Sequence, residues 1–474
     1  MSKYEQLAHD LKARIEQGVW QGGDKLPSLR QTCSDYGLSL MTVMNAYQLL
    51  ESQGVITARE KSGYFVAPGH ETLTYPQHHD RMYLSDSTDI NDFVFSVLQS
   101  AKQPSIIPFG SGFPDPTLFP QQDMARSLAK AAQKLPTTFA ADNLPPGNLG
   151  LRKAISQRYA KVGLSVSPDE ILVTSGAMES LNLSLELLTK EGDYVVVESP
   201  AFYGALQAIE RLKLKAIAVA TDPQTGIDLD ALEEVLKNYP VKACWIMSRY
   251  QNPLGCSMSR ENKERLYRLV QQYDTCLIED DVYQELYESN SDGVPVKYFD
   301  EDGRVLHCSS FSKSLIAGYR VGWVAAGKYA VDLQKLQLMS TLSTSAPMQL
   351  VIADFIQSVK YERHLKGLRK KLIERKEVMY QQLRARLPDT VKVNYTAGSY
   401  FLWLELPKNV DATKLYFQAI AKGISLAPGN MFSTEQQYNH YIRLNASYPC
   451  TDEITDAIDT ISELIQEITK NHVT

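Results

Sequence analysis

Arg304-Val-Leu-His-Cys-Ser-Ser-Phe-Ser-Lys-Ser-Leu-Ile-Ala-Gly-Tyr-Arg-Val-Gly-Trp323 is the stretch that decides how the chain is read. An apolar strand, Val305 to Cys308, runs into Ser309, Ser310, Phe311 and Ser312 and then a single lysine, Lys313. Gly318 and Arg320 follow at the start of a second strand. A lysine on a constrained loop can hold an aldehyde cofactor as a Schiff base, while hydroxyls and a guanidinium bind a phosphate. Alone, the stretch is equally compatible with a surface loop carrying ordinary charges. Its neighbours along the chain have to decide.

From residue 105 onward, apolar runs alternate with helical stretches. Seven runs read as strands: Ile171–Val173, Tyr194–Val197, Ala216–Ala220, Ala243–Met247, Cys276–Ile278, Val305–Cys308 and Val321–Ala326. Most lack polar alternation, as expected of strands buried on both faces of a mainly parallel sheet. Ligands in such sheets bind at the carboxyl ends of the strands. Thr174-Ser175-Gly176-Ala177-Met178 follows the first run and opens a helix, whose free N–H groups favour a phosphate. Phe202 and Tyr203 follow the second run, Asn252 the fourth, Glu279-Asp280-Asp281-Val282-Tyr283 the fifth and Lys313 the sixth. Each has a mundane reading as a cap, turn or strand-end charge. Together they assemble an amine, a carboxylate, an amide, a phenol, aromatic rings and a phosphate cradle.

Motifs in this order resemble the fold-type I, class I and II aminotransferases. They are Gly112-Phe113-Pro114-Asp115, Pro146-Gly147 with Leu151-Arg152, Thr174-Ser175-Gly176, Asn252-Pro253-Leu254-Gly255, Asp280 to Tyr283, Ser310 to Lys313 and Arg320-Val321-Gly322-Trp323. The resemblance implies pyridoxal 5′-phosphate (PLP) as cofactor, joined to Lys313. It implies that Asp280 pairs with the ring nitrogen, with Glu279 and Asp281 as less certain acids. Asn252 and Tyr283 would bond the ring oxygen, and Phe202, or Tyr203 in its place, would stack on the ring. Ser310, Ser312, Arg320 and the backbone at Ala177 and Met178 would hold the phosphate. Arg443, in Tyr441-Ile442-Arg443-Leu444, would grip a substrate carboxylate with Asn252 and Gly112 beside it. Lys313, Asp280 and Tyr283 would be the catalytic set. Relatives carry a tyrosine before the Pro-x-Gly region that reaches a partner subunit's phosphate, and Ala140 to Gly147 contains none.

The N-terminal residues read differently. Leu7, Leu11 and Ile15 recur at helical spacing, Pro27-Ser28-Leu29-Arg30 opens a second helix, and Ser39 caps a third from Leu40 to Ser52. Val55–Ala58 and Tyr64–Val66 then form a hairpin around Lys61-Ser62-Gly63. Three helices and a hairpin make a winged helix-turn-helix. Gly18-Val19-Trp20, Gly23 to Arg30, Ser39 to Val43 and Ala46-Tyr47 through Gly54 resemble the GntR-type DNA-binding domain. The resemblance implies that Ser28, Arg30, Ser39, Thr42, Lys61 and Gly63 face DNA. The third helix carries Leu40, Met41 and Met44 where relatives often carry arginine, the commonest reader of guanine. Residues 1–68 hold seven basic and seven acidic side chains, so no basic field announces the partner.

The expected organisation is a reader domain at 1–68, a linker at 69–104 and an aminotransferase-like region at 105–474. The last divides into a large part at about 145–345 and a smaller α/β part at about 105–140 and 346–474. His78 and His79 in the linker lack further ligands at metal spacing and read as solvated, so no metal is expected. Net charge is -6, and the six scattered cysteines suit neither a disulfide framework nor a zinc site. The N-terminus lacks the apolar core of a signal peptide, and no apolar run is long enough to span a membrane; a cytoplasmic protein is expected. The two halves together resemble the MocR family of bacterial regulators, in arrangement nearest its YdcR-like members. That implies a homodimer, often with each reader domain over its partner's large domain. An amino compound would be sensed by aldimine exchange at Lys313. An active aminotransferase tethered to DNA is the alternative.

Overall fold

The structure, a computed structural model, describes residues 3–53, 55–59, 62–67, 82–85, 91–100, 103, 105–134, 144–286, 293–396, 399–433 and 435–471. Lys61, His78, His79 and Ala140–Asn143 lie outside the described residues. Two compact units divide the chain, Met1–Thr74 and Tyr75–Thr474.

In the first unit, α1 (Lys3–Glu16), α2 (Leu29–Tyr36) and α3 (Leu40–Ser52) precede a hairpin of β1 (Ile56–Arg59) and β2 (Gly63–Val66). Ser28 caps α2 by accepting from the Gln31 N–H, and Gly37 ends that helix in the left-handed region at φ 63°. Ser39 caps α3, accepting from the Thr42 N–H at 3.2 Å. The helical spacing sends Leu7 and Leu11 of α1 against Val43, Ala46, Tyr47 and Leu50 of α3, with Ile56 and Val66 closing the cluster. The buried Tyr47 hydroxyl donates to Pro27 O at 2.9 Å and lies 2.8 Å from Thr32 Oγ1. This bond fixes α3 against the turn that opens α2.

The second unit is built on one large sheet. Its strands are β3 (Met82–Ser85), β4 (Ile171–Thr174), β5 (Tyr194–Ser199), β6 (Lys215–Asp222), β7 (Gly226–Ile227), β8 (Val241–Ile246), β9 (Cys276–Asp280), β10 (Val305–Ser310) and β11 (Gly322–Ala325). The order is β3-β6-β5-β8-β9-β10-β11-β4, with the two-residue β7 paired to β6. The seven strands expected from apolar runs are all present, and two more join them. β7 is a turn-back on β6. β3 lies within the expected linker yet adds an antiparallel edge along Ala216–Val219. Strands β6, β5, β8, β9 and β10 are mutually parallel, and β11 runs against both its neighbours. Helices cover both faces, which is why β4 and β10 are buried at every residue.

One face packs Ile171, Val173 and Trp323 against helices Leu149–Lys161 and Ala346–Ile356. Met124 and Ala131 of helix Gln121–Lys134 join that same cluster. Helices Gln121–Lys134 and Ala346–Ile356, grouped by sequence with the smaller part, thus share the large sheet's core. The other face packs Val196, Ile217 and Leu277 against helices Leu229–Asn238 and Arg260–Gln272. A second, antiparallel sheet orders β12 (Lys392–Asn394), β13 (Phe401–Glu405), β15 (Tyr441–Asn445) and β14 (Ala427–Pro428) as β12-β13-β15-β14. The segment after residue 105 is laid along it: the Ile107 N–H donates to Gly423 O and the Asn445 N–H to Phe109 O, both at 2.8 Å. Gly110 to Phe113 is thereby carried to the mouth of the large sheet.

Candidate functional site

Parallel strands bring their carboxyl ends to one edge of the sheet, so the loops after β4, β5, β8, β9 and β10 meet there. They enclose a cavity of about 230 Å³. Its lining includes Lys313, Asp280, Asn252, Tyr283, Phe202, Ala177, Met178, Ser310, Ser312 and Arg320, every side chain and backbone position expected at a cofactor, together with Gly112. Sequence separations of more than a hundred residues collapse into one pocket.

Strand alternation sorts the three acids after β9. Glu279 faces away and is saturated: it accepts from Ser248 Oγ at 2.5 Å and from the Val296 and Lys297 N–H groups at 2.7 and 3.0 Å. Asp281 also turns away, taking Arg249 Nε at 3.1 Å, with His307 Nε2 2.8 Å from its other oxygen. Burial opposes its charge, but Arg249 and His307 win and hold its carboxyl below the usual range. His307 Nδ1 in turn lies 2.7 Å from the Tyr159 hydroxyl, which accepts from Trp323 Nε1 at 2.9 Å. Asp280 alone faces the cavity. Its Oδ1 is buried without a hydrogen-bond partner, and burial pushes its pKa up to about 7. An orphaned carboxylate oxygen beneath an aromatic-walled cavity fits a cation within a flat ring.

Lys313 Nζ donates to Gly112 O at 2.7 Å and sits 3.7 Å from the centre of the Phe113 ring. Burial, then the nearby Arg443 and Arg320 charges, lower its pKa to about 7 against the pull of Asp280. The Tyr400 hydroxyl donates to the same Gly112 carbonyl at 2.9 Å, and its ring meets Tyr283 edge-on with centroids 5.8 Å apart.

At the phosphate end, helix Ala177–Leu188 begins at Gly176, whose φ is 97°. The first N–H groups of that helix, Ala177 and Met178, have no carbonyl a turn behind them to bind. Arg320 is held at φ 51°, a strained conformation costing roughly 1–2 kcal/mol for a side-chain-bearing residue. Its Nη1 donates to Ser312 Oγ at 3.4 Å and its Nη2 to Ser175 O at 3.3 Å. A Cβ on Gly176 would lie 2.5 Å from Arg320 Nη2, and one on Gly322 would lie 2.6 Å from the Gly176 carbonyl carbon. Both glycines are there for close approach. Helix dipole, hydroxyls and guanidinium thus converge on one anion-sized corner.

Arg443 lies just beyond the lining, on β15, and is 1% exposed. Its Nη1 donates to Asn252 Oδ1 and its Nη2 to Gly110 O, each at 2.7 Å, while Nε has no partner. The rings of Phe401 and Phe432 sit 4.4 and 5.2 Å from its guanidinium carbon. Sequence reasoning missed four participants: Gly110, Phe113, Tyr400 and Trp245, whose indole N–H is buried without a partner. Gly110 stands two residues before the quoted Gly112-Phe113-Pro114-Asp115 motif, and Phe113 lies within it. Tyr400 precedes a strand whose neighbours give no sign of which way it points.

In the first unit, Ser28 and Ser39 serve as helix caps, and Arg30 and Thr42 stand in the first turns of α2 and α3. Gly63, at φ 104°, begins β2 beside the Lys25 side chain. Among the described residues no group of three or more His, Cys, Asp or Glu could hold a metal, and no helix is long and apolar enough to cross a membrane.

Fold and site define a PLP-dependent aminotransferase-type domain in one chain with a winged helix-turn-helix. Residues 105–461 match the family model for aminotransferase class I and II, and residues 3–66 match that for bacterial regulatory proteins of the gntR family. The chain belongs to the class I and II aminotransferase family, whose cofactor is PLP, in the combined GntR–aminotransferase architecture of the MocR regulators. It is 50% identical, over 98% of its length and 100% of the relative's, to the HTH-type transcriptional regulator YdcR of Escherichia coli (strain K12). It is 34% identical to the HTH-type transcriptional regulator YjiR of the same organism, over 98% of this chain and 99% of that one. The Pyrococcus horikoshii kynurenine aminotransferase superposes with a TM-score of 0.73 at 30% identity, covering 79% of this chain and 94% of that one.

Proposed function

We propose that this DNA-binding transcriptional regulator senses an amino compound at Lys313 and passes that event to its reader domains. The observation that carries the reading is a reactive lysine, an orphaned acid and a buried arginine around one cavity, in a chain that also bears a helix-turn-helix. When bound, PLP supplies an aldehyde that condenses with primary amines and a ring that withdraws electrons from them.

The residues of the chain do the rest. As a carboxylate, Asp280 would accept a hydrogen bond from the ring nitrogen and keep that nitrogen protonated. Asn252 and Tyr283 would donate to the ring oxygen, Phe202 would cover a ring face, with Tyr203 as the alternate, and Ser310, Ser312, Arg320 and the Ala177 and Met178 N–H groups would take the phosphate. Arg443 pairs with the carboxylate of an arriving amino acid, with Asn252 and Gly112 at its side. A Lys313 amine with a pKa of about 7 is partly neutral at physiological pH, as both condensation and proton acceptance require.

Such a compound switches DNA binding only through different affinities for two arrangements of the molecule. A homodimer, presenting two reader domains to two half-sites, supplies the arrangements. The test is DNA affinity of the full chain with and without PLP and a panel of amines, in wild type and Lys313→Ala. Coupling predicts a change that needs both PLP and an amine and is lost in the variant; affinity indifferent to all three refutes it.

A second reading is favoured by the lowered Lys313 pKa, which suits a general base: an active aminotransferase tethered to DNA. Stable conversion of the bound cofactor to its amine form on mixing with amino acids supports it. Absence of conversion with any of the twenty common amino acids rules it out for those substrates.

A further inference from the structure

The first turn of α3 carries two large apolar side chains that stand exposed among the described residues. Leu40 is 55% exposed and Met41 62%, and neither belongs to the core cluster that takes Val43, Ala46, Tyr47 and Leu50 from the same helix. They stand between Ser39, whose hydroxyl caps the helix, and Thr42, whose own hydroxyl lies 2.8 Å from that of Ser39. From Leu40 through Ser52 there is no lysine or arginine.

In a helix-turn-helix the N-terminal residues of the second helix meet the base edges of the major groove. Guanine is read there by a bidentate arginine or lysine, and α3 has neither. The feature of a major-groove edge that an alkyl or thioether side chain recognises is the 5-methyl group of thymine. We propose that Leu40 and Met41 are specificity-determining residues that read thymine methyl groups, so that the half-site beneath the start of α3 is defined by thymines. Ser39 and Thr42, held against one another, flank them as polar groups.

The inference rests on the DNA-binding reading, and the test separates the two. Duplexes are enriched from a randomised pool with the full chain. Each thymidine of the enriched sequence is then replaced in turn by deoxyuridine, which removes the methyl and leaves base pairing intact. Two or more thymines per half-site should each weaken binding about fourfold on losing the methyl, the worth of one buried methyl-sized group. Leu40→Ala and Met41→Ala should bind more weakly and become indifferent to deoxyuridine at the thymine each had covered. A specific sequence that tolerates deoxyuridine at every position overturns this inference and leaves DNA binding standing. Alanine variants that keep the full deoxyuridine penalty overturn it too, as do variants whose only change is in oligomeric mass. Failure to enrich any sequence overturns DNA binding along with it.

Discussion

Arg443 Nη1 donates to Asn252 Oδ1 at 2.7 Å inside a pocket that leaves the arginine 1% exposed. A strand residue of the C-terminal sheet and a residue of the loop after β8 are thus joined by one bond, and a neutral amide, not a carboxylate, faces the guanidinium. Asn252→Asp would place a permanent carboxylate there. Its expected effect is at least tenfold weaker response to α-amino acids, the scale of a charge-assisted hydrogen bond, beyond the loss shared by all amines when residue 252 no longer donates to the ring oxygen. Absorbance titration of the PLP-loaded variant checks it. Arg443→Lys should not preserve the amino-acid response, because a point charge lacks the planar fork.

Cofactor-free stability should pass through a local minimum near pH 7. Asp280 has its pKa raised from 3.8 to about 7, so the folded state binds more protons than the unfolded between those values. Stability from this group is full below pH 3.8 and is lost as pH rises through about 7. Lys313 has its pKa lowered from 10.5 to about 7, so its burial costs most below pH 7 and least above pH 10.5. Thermal melts of cofactor-free Asp280→Asn should lose the fall between pH 4 and 7, and those of Lys313→Met the rise above pH 7. Unchanged profiles in both variants would contradict the assignment.

Gly176→Ala should strike the phosphate corner. The added methyl would sit 2.5 Å from Arg320 Nη2 on a backbone with φ of 97°, so the guanidinium must move. Loss of one charged hydrogen bond to the phosphate predicts roughly 10- to 100-fold weaker PLP binding. Equilibrium dialysis measures it, and Arg320→Ala should be of similar size and not additive with it.

Ser39→Ala tests the reader domain's scaffold. Removing an N-cap that accepts from the Thr42 N–H costs about 1 kcal/mol of local stability. Hydrogen exchange of α3 in the full chain should report this loss, while helix Ala177–Leu188 should be unaffected.

The large sheet was legible because strands buried on two faces shed their polar alternation: Ile171–Thr174 and Val305–Ser310 announce themselves as runs. That the groups at the ends of those runs would meet at one cavity was legible for the same topological reason. Strand Met82–Ser85 was not, since a four-residue edge in a polar stretch has too few residues to show a pattern. Nor was the bond from Arg443 to Gly110 O, made across 333 residues by two segments meeting at the C-terminal sheet. The three acids at 279 to 281 show the boundary between the two cases. Their period of two puts Asp280 opposite its neighbours, but which face holds the cavity is decided only when Ser248, Arg249 and His307 take their places.

The bond from Lys313 to Gly112 O spans two pieces of architecture, because residues 107–112 ride on the C-terminal sheet while Lys313 hangs from the large one. Tyr400 holds the same carbonyl from the C-terminal side. The lysine is therefore also a latch. Any chemistry that claims its amine unfastens one of two hooks on Gly112 and leaves the other within its own half of the molecule.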